Sequence, residues 1–218
     1  GARHAVLGTK QIALSTKNQM TSKFIYECTD CGRQIPAGEI IYLCPDCSAK
    51  QLPDQPPLGV LKVIYDYKAL SELSFSKLME DQFLQLLPVD HSNSFPNLRV
   101  GQTPLYEIHA LDRQVSDFQL FLKDDSQNPT FSFKDRASAL VSAFAKEKGI
   151  DTIVAASTGN AGSSLAGICA AQDQQAVIFV PATAPKAKLT QIMMYGATLL
   201  PVSGNYDQAF DLSIQATK

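Results

Sequence analysis

No run of apolar residues in this sequence approaches the ~18 that a membrane-spanning helix needs, and the opening GARHAVLGTKQ holds no signal-peptide core. Basic runs are missing too. The 19 Lys and Arg stand against 21 Asp and Glu, a formal charge of −2, so nothing pulls generally on nucleic acid. Membrane and nucleic acid are therefore not expected partners, and a cytoplasmic location is. There is no initiating Met, so Gly1 reads as a remnant of cloning. His4, His91 and His109 are scattered without metal spacing. The 12 glycines build neither G-x-G-x-x-G nor G-x-x-x-x-G-K-[ST], which removes the dinucleotide and ATP fingerprints. What is present is 45% hydrophobic and 18% charged residues over 218 positions, enough for one large domain or two small ones.

Four of the five cysteines fall in pairs, Cys28-x2-Cys31 and Cys44-x2-Cys47, with twelve residues between the pairs. In a cytosolic chain this spacing points to metal rather than disulfides. Four thiolates on two knuckles complete a tetrahedral structural site, which suits zinc. Rubredoxin-like iron and a redox dithiol remain open on spacing alone. Cys169 lies in an Ala-rich helix and reads as a small buried hydrophobe.

Along the chain, residues 1–22 lack periodicity and read as a mobile arm. Residues 23–52 read as a zinc-ribbon-like β domain of two hairpin knuckles. Pro53, Pro56 and Pro57 make 53–59 a stiff linker. From residue 60 an α/β region follows, with VLKVIYDY a short strand and residues 68–88 an imperfect helical stripe ended by Pro88. Strands near 118–122, 152–156, 176–180 and 198–202 alternate with helices ended by Gly149 and Gly196, predicting a domain whose last three strands are parallel. Phe133, Ala137, Leu140, Val141 and Phe144 mark one helical face. Ligands in such sheets collect at the carboxyl ends of strands.

Two stretches carry candidate chemistry. In PTFSFKDR (129–136), Ser132 and Asp135 suit a helix start as a capping-box-like pair, leaving Lys134 a solvated first-turn residue. Yet a cation there faces the positive end of the helix dipole. Arg136 adds charge, and Phe131 and Phe133 can strip water. All three favour a nucleophilic amine of the kind that forms Schiff bases with carbonyl cofactors. The second stretch, ASTGNAGSS (156–164), follows a strand and opens a helix. Ser157, Thr158, Gly159 and Asn160 there would offer hydroxyls, an amide and free backbone N–H groups to an anion, or simply a tight turn of small residues. Lys186 and Lys188 open a later helix, where a solvated face is the ordinary reading and a substrate phosphate the alternative.

Together, GQTPL, LKDDSQNPTFSFKDR, STGNAG and VPATAPKAKLTQIMMYGA, in this order, resemble the tryptophan-synthase-β-like family of pyridoxal-phosphate enzymes, and within it the threonine synthases. The resemblance covers roughly residues 100–218 and more loosely the cysteine-bearing front. It implies the family's three-layer α/β fold with a parallel sheet, preceded by the zinc ribbon. It also implies that Lys134 holds pyridoxal 5'-phosphate as a Schiff base and moves protons. Asn160 would hydrogen-bond the cofactor's ring oxygen, and Ser157 and Thr158 the substrate carboxylate. The implied reaction converts O-phospho-L-homoserine and water to L-threonine and phosphate. Phe131 stands where the family usually has Gly. The Gly-rich loop that holds the cofactor phosphate in the family is not found, so the chain reads as the N-terminal portion of such an enzyme, inactive by itself. A homodimer is compatible with this reading. The competing expectations are a related lyase, such as cysteate synthase or a serine/threonine dehydratase, and a non-enzymatic zinc-ribbon interaction module.

Overall fold

The structure is a computed structural model describing residues 22–38, 41–52, 55–111 and 114–217. The expected arm at 1–22 lies almost wholly outside these residues. The chain divides into two compact units, 1–73 and 74–218.

In the first unit, β1 (Phe24–Cys28) is the central strand of three, antiparallel to β2 (Gln34–Pro36) and β3 (Leu61–Tyr65). Its aromatic and β-branched residues suit a pleated surface, and Phe24 is buried against Tyr26 and Tyr65. The first cysteine pair ends a hairpin as expected. The second opens into a short helix, α1 (Pro45–Ser48), because Pro45 presets the first helical φ. Two sequence expectations change here. VLKVIYDY does not begin the α/β region: it is β3, paired along its length with β1. The described part of the 53–59 stretch, expected as a stiff linker, is bonded back onto the first unit. Gln51 donates to the carbonyls of Gln55 and Pro56 and accepts from Leu58 N–H, while Gly59 N–H donates to Asp30. The unit then closes on α2 (Tyr67–Ser71).

The expected single helix over 68–88 is broken. Ser74 accepts from Lys77 N–H and starts a new helix, α3 (Phe75–Glu80), in the second unit. Gln82 and Phe83 then take positive φ and stop it. Next, β4 (Leu105–Leu111) and β5 (Gln114–Lys123) form an antiparallel hairpin, so the strand expected near 118–122 pairs outside the main sheet.

The main sheet is β6 (Thr152–Ala156), β7 (Gln175–Pro181) and β8 (Thr198–Val202), parallel in the order β6-β7-β8. Between the strands run α5 (Asn160–Ala170) and α6 (Lys186–Met194), and α7 (Tyr206–Gln215) follows β8. Ala176, Ile178 and Val180 of β7 point to one face and pack with Leu165, Ala166, Cys169 and Ile192 of α5 and α6. Burial pushes the Cys169 thiol up to about 11, as befits a small core residue. α7 lies against β6 and β7, opened by a capping box between Asn205 and Gln208.

α4 (Lys134–Glu147) precedes β6 and packs on α5. Its buried residues are Asp135, Ser138, Ala139, Ser142, Ala143 and Ala145, whereas Phe133 is 59% and Val141 47% exposed. The apolar stripe read from the sequence is therefore not the packed face. The small-residue side turns inward because α5, itself built of Gly, Ser and Ala, admits a neighbour only at close range. A Cβ on Gly167 would stand 2.7 Å from Thr130 Cγ2. No helix among the described residues is long and apolar enough to cross a membrane.

Candidate active site and metal centre

Cys28 and Cys47 place their sulfurs 3.8 Å apart, as do Cys31 and Cys44, and all four sulfurs lie within 4.8 Å of one another. A regular tetrahedron with metal–sulfur bonds of ~2.3 Å has sulfur–sulfur edges of about 3.8 Å. The donor set therefore fits one tetrahedral ion. Cys28, Cys44 and Cys47 are buried and Cys31 is exposed. The surrounding backbone fixes the knuckles: Cys44 N–H donates to Gly59 O at 2.7 Å, and Thr29 N–H to Val60 O at 2.9 Å. Gly59, at φ +85°, leaves no room for a side chain, since a Cβ would meet Cys44 O at 3.0 Å. Arg33 pairs with Asp46 at 2.6 Å, tying one knuckle to the other. Burial opposes the Cys28 thiolate, but the N–H groups of Cys31 and Asp30 outweigh it and draw that thiol down to about 7.

In the second unit, Ser138, one turn into α4, accepts from Ser164, one turn into α5, at 2.7 Å. Further along α4, Ser142 and Lys146 meet Gln172, beyond the end of α5. The two helices thus run side by side in the same sense. Their first residues, Lys134 and Asn160, lie at the same end of the pair, and α5 springs from the carboxyl end of β6.

Local chemistry holds each helix start. The capping pair expected of Ser132 and Asp135 takes another form. Ser132 accepts from Lys134 N–H at 3.2 Å. The fully buried Asp135 instead binds Thr130, through its N–H at 2.6 Å and through its hydroxyl. That clamp draws the 129–133 turn onto the helix. Lys134 is half-buried, with its Nζ 4.8 Å from the centre of the Phe133 ring. Arg136 is not the neighbouring free charge that the sequence suggested. It forks onto Asp125 with two bonds of 2.8 Å, and its guanidinium holds that carboxyl well below the usual range. Phe131 has φ +62°, the left-handed region in which glycine is unstrained, and is 75% exposed.

At the second helix start, Ser157 Oγ accepts from Gly162 N–H at 2.9 Å, which leaves its own proton to donate. A Cβ on Gly162 would come within 2.9 Å of Ser157 O, so only Gly permits this turn. Among the described residues, the N–H groups of Thr158, Asn160 and Ala161 donate to no protein atom. Three unspent donors and a hydroxyl at a helix start suit a carboxylate. Sequence reasoning undervalued Lys188: its Nζ donates to Asn160 Oδ1 at 2.7 Å. The signal was its position just after a strand end.

The family "Pyridoxal-phosphate dependent enzyme" matches residues 97–218. Threonine synthase of Methanocaldococcus jannaschii is 33% identical over 201 residues, which are 89% of this chain and 47% of that protein. The Methanosarcina acetivorans threonine synthase is 33% identical over 192 residues, 85% of this chain and 44% of its own. A Bacillus threonine synthase is 36% identical over 129 residues, 59% of this chain and 36% of its own. The chain thus spans about half the length, or less, of these relatives. The two archaeal matches extend into the cysteine-bearing front. A helix start presenting Lys134, a second presenting Asn160 and free N–H groups, and a family match over more than half the sequence agree: this chain belongs to the pyridoxal-phosphate-dependent enzyme family.

Proposed function

We propose that the chain supplies the cofactor lysine and the substrate-carboxylate anchor of a threonine synthase acting on O-phospho-L-homoserine, an activity of the whole protein. The observation that carries this reading is the same-sense packing of α4 and α5, which sets Lys134 and the Ser157–Asn160 turn at one end. When bound, pyridoxal phosphate supplies the electron sink for carbanions in the substrate. Lys134 Nζ would hold the cofactor through its amine and would carry protons as general acid and base. Asn160 would donate to the cofactor's ring oxygen. Ser157, Thr158 and the unspent N–H groups take the substrate carboxylate, fixing which carbon faces the lysine. In the holoenzyme, Lys134→Ala is expected to remove the visible absorbance of the lysine-bound cofactor and to lower threonine formation about 10³-fold or more. Lys134→Arg fails likewise, because a guanidinium stays protonated. Normal turnover by either variant refutes the reading. Faster turnover of serine or threonine than of O-phosphohomoserine would assign a dehydratase instead.

The four-cysteine site is proposed to hold one structural zinc ion, supported by its 3.8 Å sulfur–sulfur edges. It has no open position, so its role is to fold the first unit. Elemental analysis should find one equivalent of zinc, and iron in its place would reassign the metal.

A further inference from the structure

Asn160 has an amide whose two ends are chemically opposite, oxygen accepting and nitrogen donating. The proposed role requires the nitrogen end to face the cofactor's ring oxygen. An amide at an exposed helix start has little packing to choose between its two orientations, and Asn160 is exposed. Lys188 supplies the choice. Its ammonium, a donor with no acceptor capacity, sits 2.7 Å from Asn160 Oδ1 and 3.4 Å from Gln191 Oε1. Turning the amide over would set its NH2 against the ammonium. Among the described residues, Asn160 Nδ2 has no hydrogen-bond partner, so its two protons remain to be spent.

We infer that Lys188 is a positioning residue. It fixes the Asn160 amide with Nδ2 toward the cofactor and, by drawing charge onto Oδ1, makes Nδ2–H a stronger donor to the ring oxygen. The inference rests on the proposed role of Asn160. It explains why the first turn of α6 carries a lysine at the carboxyl end of β7, where a helix dipole disfavours a cation.

Substitution at Lys188 in the holoenzyme tests it, read by cofactor affinity and by the absorbance of the lysine-bound cofactor. Lys188→Met frees the amide, so affinity should fall about tenfold and the visible band should lose intensity to a shorter-wavelength one. Lys188→Arg, still donor-only, should keep both within about threefold of wild type. Lys188→Gln can pair with either end of the amide and should resemble the Met variant. In an Asn160→Ala background, Lys188→Met should add nothing, because it acts only through that amide. A general packing defect would not shift the band, would not be rescued by Arg and would add to Asn160→Ala. A Met variant with the wild-type band and affinity overturns the inference. Lys134→Ala serves as control: if it keeps the band, the underlying reading fails, whereas its loss beside an unchanged Lys188→Met variant condemns only Lys188.

Discussion

The two units of this chain are held together by different means. Among the described residues of the first, the buried apolar side chains are Phe24, Ile35 and Ala37, and beyond them the core is the sulfur of Cys28, Cys44 and Cys47. In the second, Leu165, Ile178, Val180 and Ile192 meet between helices and a parallel sheet. Among the described residues, a core of three apolar side chains is too small to offset the conformational entropy of some fifty residues, so the ion proposed at the four cysteines would serve the first unit as a staple. The second carries its own hydrophobic stabilisation. A cluster of cysteine sulfurs lies at the centre of one unit and packed apolar side chains at the centre of the other.

The sharpest way to break the comparison is to take the staple away. Chelation or Cys44→Ser should unfold the first unit, because metal-binding free energy on the order of 10 kcal/mol is folding free energy in such modules. Amide hydrogens of β1, β2 and β3 should become unprotected while those of β6, β7 and β8 stay protected. Retained protection of β1 without metal would show that the first unit has a sufficient core after all. The converse experiment is Ile178→Ala on the central strand, whose side chain is fully buried. It should cost the second unit about 2–5 kcal/mol and leave the metal content at one equivalent.

How far these differences could be read in advance follows the same division. The cysteine pairs announce themselves because ligand geometry fixes their spacing, and the parallel strands because short apolar runs alternate regularly with Gly-ended helices. Lys134 and Asn160 were singled out by their places at helix starts and by the motifs that hold them. Three other features depend on partners far away in the sequence. β3 pairs with β1 across more than thirty residues, so its strand character was evident but its sheet was not. The face of α4 was misread because Ser and Ala, polar or weakly apolar on any scale, make the closest helix contact, and Phe133 and Val141 face outward. Lys188 looked like a solvated lysine until the turn of α5 was brought beside it.

Acid should separate the units again, with a smaller effect. Arg136 holds the Asp125 carboxyl low. Glu147, against some burial, is lowered by accepting from Asp90 N–H, His91 N–H and Ser94. Both folded values lie below the unfolded ones, roughly 4. The stability these carboxylates contribute is therefore complete above about pH 5 and is lost as pH falls through their folded values. The second unit's melting temperature should stay level from neutrality to about pH 5 and drop below about pH 4. The first should fail earlier, near the pH at which thiols displace the metal by taking up protons. Loss of both units in a single acid transition would contradict this order.

The smallest effect concerns one backbone angle in the second unit. Phe131 holds φ +62° at the turn that leads into Lys134, where the family usually has Gly, and three-quarters of its surface is exposed. A side chain in that region costs about 1–2 kcal/mol, because its Cβ crowds the following carbonyl. Phe131→Gly removes that strain. It also frees the unfolded chain, which offsets about 0.4–1 kcal/mol of the gain. The exposed ring contributes little burial to lose. The net expectation is a stabilisation of about 0.5–1 kcal/mol, read as a rise of a few degrees in the melting temperature of the second unit. The Asp135–Thr130 clamp should hold the turn in place in the variant, so cofactor absorbance should persist. A fall in melting temperature would mean that the phenyl ring makes a stabilising contact in the whole protein, strong enough to keep a strained residue beside Lys134.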